Sequence, residues 1–115
     1  MAYRKPTEPE ARLLVELARA ATTTVPAGWL QSVLVEPMED GGMGSLRLQL
    51  PNVAPSGVSR LIGSELLFKD RDGVHVLASL YLDSVGTPVE LDLWKVDFSP
   101  LLGVPDELPA ATVPR

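Results

Sequence analysis

Residues 64–98 read SELLFKDRDGVHVLASLYLDSVGTPVELDLWKVDF, and this stretch defines most of a β-sheet. Three segments in it are candidate strands, and the second and third place apolar residues at every second position, which is the pattern of half-buried strands. These segments are 64–69, 74–82 and 89–98. The connections 70–73 and 83–87 are short and contain a glycine, whereas a parallel crossover needs about a dozen residues. The stretch therefore predicts three consecutive antiparallel strands.

Two further strands and one helix precede this stretch. Strands are predicted at 30–38 and 45–50, and in 45–50 apolar residues alternate cleanly with polar ones. A helix is predicted at 8–21, because leucine and alanine recur there at helical spacing. Thr7 and Glu10 form the sequence pattern of a capping box at its start.

One helix followed by about five strands indicates an α+β fold. The N-terminal helix must pack on one face of the antiparallel, meander-like sheet, because its leucine stripe has to be buried. A short helical turn is predicted at 59–62 in the link 51–63. The tail 99–115 is predicted to be extended because of its prolines. At 115 residues, we expect a single domain spanning 1–115.

The composition narrows the classes of function. The chain has 15 acidic residues against 10 lysines and arginines, a net charge of −5. Nucleic-acid binding needs basic side chains along the phosphates, so this balance argues against a nucleic-acid partner. The absence of cysteine excludes disulfides and cysteine nucleophiles. The N-terminus lacks the apolar run of a secretory signal and no segment has the ~20 apolar residues of a membrane span, so we expect a cytoplasmic protein without membrane contact.

Residues 39–45 read EDGGMGS, a glycine-rich stretch that could bind a phosphate or form a tight turn. Its glycines are Gly41, Gly42 and Gly44. A predicted strand, not a helix, follows the stretch, and the acidic Asp40 in front of the glycines would repel a phosphate. We therefore predict a turn in which at least one glycine has positive φ and Met43 packs back against the domain or a partner.

The last predicted strand has an acidic face opposite its core residues Leu91 and Leu93. That face contains Glu90, Asp92, Trp94 and Val96. Carboxylates two residues apart on a strand point the same way, about 7 Å apart, so they could serve a metal or a general acid–base pair. They could equally pair with basic side chains on the sheet, which is the commoner arrangement. The basic candidates are Arg47, Lys69 and Lys95. Trp94 is a large aromatic on this face and should be covered by the tail, a partner or a ligand.

His75 is the only histidine, which limits the available chemistry. It is opposite in phase to Val74 and Val76, so it should face outward, and the chain has no G-x-S-x-G motif that would make it part of a serine triad. A surface histidine is the favoured interpretation. The sequence predicts no catalytic residue, no metal site and no cofactor.

Three stretches carry a resemblance to known sequences. They are PMEDGGMGSL (37–46), FKDRDGVHVLASLYLD (68–83) and ELDLWKVDFSPL (90–101). They resemble an uncharacterised family of small bacterial proteins with a D-G-G-M-G-S-L turn, an F-x-D-x-D-G-V hairpin and an E-L-D-[IL]-W-K-V-D-F-S-P-L terminus. The matching positions are Asp40, Gly41, Gly42, Met43, Gly44, Glu90, Asp92, Trp94, Lys95, Asp97 and Phe98. The resemblance supports the fold and implies no activity, although such domains look like proteins found near toxin and immunity genes.

These observations leave two main hypotheses for the function. The first is a non-enzymatic protein-interaction domain, of immunity or adaptor type, that binds a basic partner surface. Its candidate contacts are Glu90, Asp92, Trp94, Asp97 and His75. The second is a small ligand- or metal-binding enzyme that uses the acidic face. Its candidate residues are Asp40, Glu90, Asp92 and Asp97 with His75. A homodimer formed through the edge strand 30–38 is a further possibility.

Overall fold

The computed structural model describes residues 2–26, 28–51, 53 and 60–114. The helices in this part of the chain are α1 (Glu8–Ala20) and α2 (Trp29–Ser32). The strands are β1 (Leu34–Pro37), β2 (Leu46–Gln49), β3 (Leu61–Lys69), β4 (His75–Leu82) and β5 (Pro88–Lys95). Neither helix is long and apolar enough to cross a membrane.

The five strands form one open antiparallel sheet in the order β1-β2-β5-β4-β3. Strands β3, β4 and β5 follow one another as a meander, because the turns between them are too short for any other connection. Strand β2 lies beside β5, so the chain leaves β2 and re-enters the sheet at the opposite edge. The predicted α+β fold, with an N-terminal helix and an antiparallel sheet, is confirmed.

Helix α1 covers one face of the sheet, which we call the inner face. Its start is fixed by the predicted capping box, in which Glu10 N–H donates to the Thr7 hydroxyl (3.4 Å) and Thr7 N–H donates to the Glu10 carboxylate (2.8 Å). The Ser64 hydroxyl on β3 donates to the Leu17 carbonyl at 2.6 Å, which ties the helix to the sheet. Three leucines of α1 are buried against the sheet: Leu13, Leu14 and Leu17.

The inner face is the apolar face predicted from the alternation along β4 and β5. The buried members on these two strands are Val76, Ala78, Leu80, Leu82, Leu91 and Leu93. The opposite, outer face of β3, β4 and β5 has no helix on it in the described part of the chain. Side chains on that face are therefore the ones that could meet a partner.

Three predicted segments differ from the observed elements in their bounds or in their secondary structure. The strand predicted at 30–38 begins only at Leu34, because the buried Trp29 anchors α2 and Val33 N–H donates to the Trp29 carbonyl (2.9 Å). The strand predicted at 89–98 ends at Lys95, where a turn begins. The helical turn predicted at 59–62 is wrong for its last two residues, which belong to β3, and Ser59 lies outside the described residues.

The two edges of the sheet are each partly covered by a chain terminus. Arg4 and Val35 exchange two backbone hydrogen bonds (2.9 and 2.7 Å), so the N-terminal segment occupies the middle of the β1 edge. Glu65 and Thr112 exchange two more (both 2.8 Å) on the β3 edge. Arg4 therefore occupies the backbone groups of Val35 that a second copy would need in order to pair with the middle of this edge.

Candidate functional site

The glycine-rich stretch 39–45 forms a tight loop between β1 and β2 that Asp40 organises. The Asp40 carboxylate accepts hydrogen bonds from the backbone N–H groups of Met43 (3.1 Å), Gly44 (3.4 Å) and Ser45 (2.9 Å). Burial opposes the charge of Asp40, but these hydrogen bonds hold its pKa below the ordinary value. The donors that a phosphate would need are therefore bonded to a carboxylate of the chain.

The conformation predicted for this loop is confirmed. Gly41, Gly42 and Gly44 have φ values of 75°, 83° and 99°, which residues with a side chain rarely adopt. Met43 packs back against the domain, and its sulfur accepts a hydrogen bond from the Lys95 backbone N–H at 3.4 Å. The loop is thereby fastened to the end of β5.

A buried lysine lies at the same end of the sheet. Lys95 is 0% exposed, and its Nζ donates to Asp70 Oδ2 (2.9 Å), Asp72 Oδ2 (2.7 Å) and the Pro100 carbonyl (3.0 Å). Burial lowers the pKa of Lys95, but the hydrogen bonds with the two carboxylates outweigh it and leave the pKa raised. The prediction that Lys95 is a possible surface partner for the acidic face is wrong, because Lys95 has the phase of the core residue Leu93 and points to the inner face.

Asp70 connects this buried lysine to the C-terminal segment. Its carboxylate also accepts hydrogen bonds from the backbone N–H groups of Leu102 (2.8 Å) and Gly103 (3.0 Å). Burial opposes its charge, but the donors from Leu102 and Lys95 hold the pKa of Asp70 below its ordinary value. Each charge in the cluster is compensated by hydrogen bonds within the chain, so the cluster is a structural anchor.

Apolar side chains are exposed on the outer face next to this anchor. We call them the aromatic patch: Leu67, Trp94, Val96 and Phe98, which are 49%, 42%, 45% and 67% exposed. Leu67 and Trp94 lie in one row across the sheet, because both are in register with Leu77. The rings of Trp94 and Phe98 are tilted by 56° with centroids 6.3 Å apart, a favourable aromatic geometry. A group of large exposed apolar residues is typical of a binding surface.

Phe98 is held in a strained backbone conformation. Its φ is 63°, and it is the only residue other than glycine with positive φ in the described chain. Its N–H donates to the Lys95 carbonyl (2.8 Å), and Asp97 stabilises the following bend by accepting from Ser99 N–H (3.0 Å). Strain at a bulky exposed residue persists only where surrounding contacts impose it, and such residues cluster at functional sites. The sequence pattern does not single out Phe98 as a site residue, because it predicts position 98 as the last residue of a strand.

Replacing Phe98 with glycine is expected to give a chain about 1 kcal/mol more stable than replacing it with alanine. Both changes remove the ring, but only alanine keeps a Cβ in the left-handed region. Urea unfolding of the two variants measures the difference. The same pair at Val96, which lies in the same turn without a positive φ, should show the opposite order, because glycine loses more conformational entropy on folding than alanine. An alanine variant as stable as the glycine variant at position 98 would contradict the strain.

Glu90, predicted as an interaction residue, is not available on the outer face. It is 8% exposed and forms an ion pair with Arg60, whose guanidinium also lies 4.5 Å from the centre of the Tyr81 ring. Asp92 is half-buried, and its Oδ1 accepts a hydrogen bond from the Ser45 hydroxyl (3.4 Å). The acidic face is therefore less charged than the sequence alone indicates.

The structure does not gather the residues that the enzyme hypothesis needs. His75 is exposed and lies four residues along β4 from Ser79, the partner of Asp92, which is about 13 Å at 3.3 Å per residue. Asp97 is exposed and bonded to Ser99, which is the main reason its pKa is lowered. Within the described ranges, no group of three or more histidines and carboxylates could hold a metal ion.

Comparison with known proteins identifies a family. Residues 3–105 match the sequence model of a domain of unknown function, DUF6984. No curated protein and no solved structure matches the chain. The match confirms the resemblance to an uncharacterised family and extends it over α1, which the motifs left uncovered. Five residues of those motifs fasten the loop, the β3–β4 turn and the end of β5 together: Asp40, Met43, Asp70, Asp72 and Lys95.

Proposed function

Since the chain belongs to DUF6984, a family of unknown function, we propose from its structure that it is a protein-binding domain that docks through the aromatic patch. The single observation that carries this proposal is Phe98, an exposed phenylalanine in a strained conformation beside an exposed tryptophan. Aromatic side chains dominate the energetics of protein interfaces because they bury a large area at a low entropic cost.

The anchor beneath the patch supports this function. Lys95, Asp70 and Asp72 fix the backbone on either side of Phe98, since the Lys95 ammonium also holds the Pro100 carbonyl. A side chain that is already positioned loses little conformational entropy on binding, so the rigid support increases the affinity that the patch can reach.

The charge around the patch indicates the chemistry of the partner. Glu65 and Asp92 share the outer face of the sheet with the patch, Asp97 immediately precedes Phe98, and Lys69 is the one basic residue of β3. The chain as a whole carries −5. We infer a partner with an apolar contact surrounded by basic residues, because opposite charge at the rim accelerates association and fixes orientation. An immunity or adaptor protein would meet its target in this way.

Photo-crosslinking in the source cells tests the proposal. The photoreactive analogue benzoyl-phenylalanine is placed at Phe98, and at Val15 as the control. Val15 is 55% exposed on α1, away from the patch. We expect one heavier adduct from position 98 and none from position 15, and we expect Trp94→Ser to reduce the adduct from position 98 at least tenfold. Equal adducts from both positions, or none from position 98, would contradict the proposal. An adduct with a second copy of the chain would show that the patch forms a homodimer and would contradict a basic partner.

A further inference from the structure

The outer face of the sheet carries side chains in rows, because residues opposite one another on adjacent strands stand side by side. The apolar row crosses β3, β4 and β5 and consists of Leu67, Leu77 and Trp94. The acidic row lies two residues away along the strands, about 7 Å from the apolar row. It consists of Glu65, Ser79 and Asp92. A partner that docks on the aromatic patch therefore meets the acidic row as well.

The carboxylates of the acidic row lack the basic partners that the other carboxylates of this face have. Glu36 forms an ion pair with Arg47 at 3.5 Å, and Glu90 forms one with Arg60. In the described part of the chain, no basic side chain lies within ion-pair distance of either carboxylate of the acidic row. The negative charge of this row is thus available to a cation from outside the chain.

An arginine of the chain itself shows how this face binds a guanidinium. The guanidinium of Arg60 lies 4.5 Å from the centre of the Tyr81 ring on β4 and forms an ion pair with Glu90 on β5. Tyr81 and Glu90 are directly opposite each other. Trp94 and Asp92 are consecutive outward positions of β5 and offer the same two groups, an aromatic ring and a carboxylate. The ring of Trp94 is 42% exposed, so its face is accessible.

We propose that the acidic row binds an arginine side chain of the protein partner, with Trp94 as the surface on which the guanidinium stacks. The inference rests on the proposed function, because this arginine belongs to the partner that docks on the aromatic patch. A guanidinium above Ser79 lies between Glu65 and Asp92, whose strands are about 10 Å apart, and its planar set of five N–H donors suits two carboxylates. A cation within about 6 Å of the centre of an indole ring is also attracted by the ring.

Arginine fits this arrangement better than lysine. The guanidinium is planar and weakly hydrated, so it can stack on an indole ring while it donates to carboxylates. The ammonium of lysine is a compact, strongly hydrated charge that gains less from such a surface. On the far side of the apolar row, Lys69 lies four residues along β3 from Glu65, about 13 Å away. Lys69 repels a cation from that side, so the charges also fix the orientation of the partner.

Nuclear magnetic resonance titration of the full chain at low salt tests the site with defined probes. The probe is the acetylated and amidated peptide GRGLG, which offers an arginine to the acidic row and a leucine to the apolar row. The matched control carries citrulline in place of arginine, because citrulline has nearly the same shape and no charge. We expect GRGLG to shift the indole N–H signal of Trp94 and the amide signal of Ser79. The citrulline peptide should bind roughly tenfold more weakly, since it loses the charge-assisted hydrogen bonds.

Variants of the chain locate the bound arginine. Glu65→Gln and Asp92→Asn remove the two charges and keep the side-chain shapes. We expect each variant to bind GRGLG several-fold more weakly, and the double variant to bind the arginine and citrulline peptides equally. Lys69→Gln is the matched control on the same face and should bind GRGLG at least as tightly as the wild type does. Unchanged amide signals elsewhere in the sheet show that the variants keep the fold.

Three results would overturn the inference: equal binding of the arginine and citrulline peptides to the wild type, a double variant that still prefers arginine, or no shift of either signal with millimolar GRGLG. The crosslinked adduct from position 98 separates this failure from a failure of the proposed function. An adduct of unchanged yield in the double variant retains docking through the patch and rejects the bound arginine. A severalfold lower yield in the double variant, with the wild-type yield in Lys69→Gln, supports the arginine.

Discussion

Replacing Asp70 with alanine is expected to lower the free energy of unfolding by about 3 kcal/mol, the lower end of the cost of breaking a buried ion pair, because Asp72 still pairs with Lys95. The change removes one carboxylate from the buried Lys95 and also strips the acceptor from the backbone N–H groups of Leu102 and Gly103. For a chain of this size, such a loss corresponds to a fall in the thermal midpoint of roughly 12 °C, which calorimetry can measure.

The pH dependence of the free energy of unfolding measures the contribution of Asp70 in a second way. The pKa of the Asp70 carboxyl is lower in the folded chain than in the unfolded chain. The stabilisation that the ionised carboxylate gives to the fold is therefore complete above the pKa of the unfolded chain. It is lost as the pH falls through the lower pKa of the folded chain. The difference between the wild type and Asp70→Ala should therefore shrink below about pH 4. Asp106→Ala is the control, because that side chain is fully exposed and should change the midpoint little. A difference that stays constant from neutral to acidic pH would contradict the role of the Asp70 charge.

Replacing Leu80 with alanine is expected to destabilise the fold by about 3 kcal/mol, through lost burial and the cavity left behind. Leu80 is 0% exposed, at the centre of the inner face under α1. Leu67→Ala is the matched control on the neighbouring strand, and because Leu67 is 49% exposed on the outer face we expect a loss of less than about 1 kcal/mol. Chemical denaturation of the two variants compares the two faces of the sheet. Equal losses would contradict the assignment of the inner and outer faces.

The features predicted correctly from the sequence depend on near neighbours in the chain. The alternation in 74–82 identifies the buried face of β4, because successive side chains of a strand point to opposite sides. The capping box at Thr7 and Glu10 forms within four residues. Gly41, Gly42 and Gly44 adopt positive φ because a tight loop between adjacent strands needs residues without a Cβ. Each prediction needed only a local pattern.

The candidate site depends on contacts between distant segments. The sequence alternation already gives Lys95 the phase of Leu93, yet only the register of β5 with β4 and the position of the β3–β4 turn bring Asp70 and Asp72 to its ammonium. Glu90 has an exposed phase in the sequence, but Arg60, the residue immediately before β3, forms an ion pair with it.

Local patterns along the chain fix which residues form the helix, the strands and the turns, since these depend on backbone preferences and on alternation within a few residues. The partners of charged side chains and the strained conformation of Phe98 follow from strand order and register. These features depend on the packing of the whole core, because residues far apart in the sequence can become neighbours across a sheet.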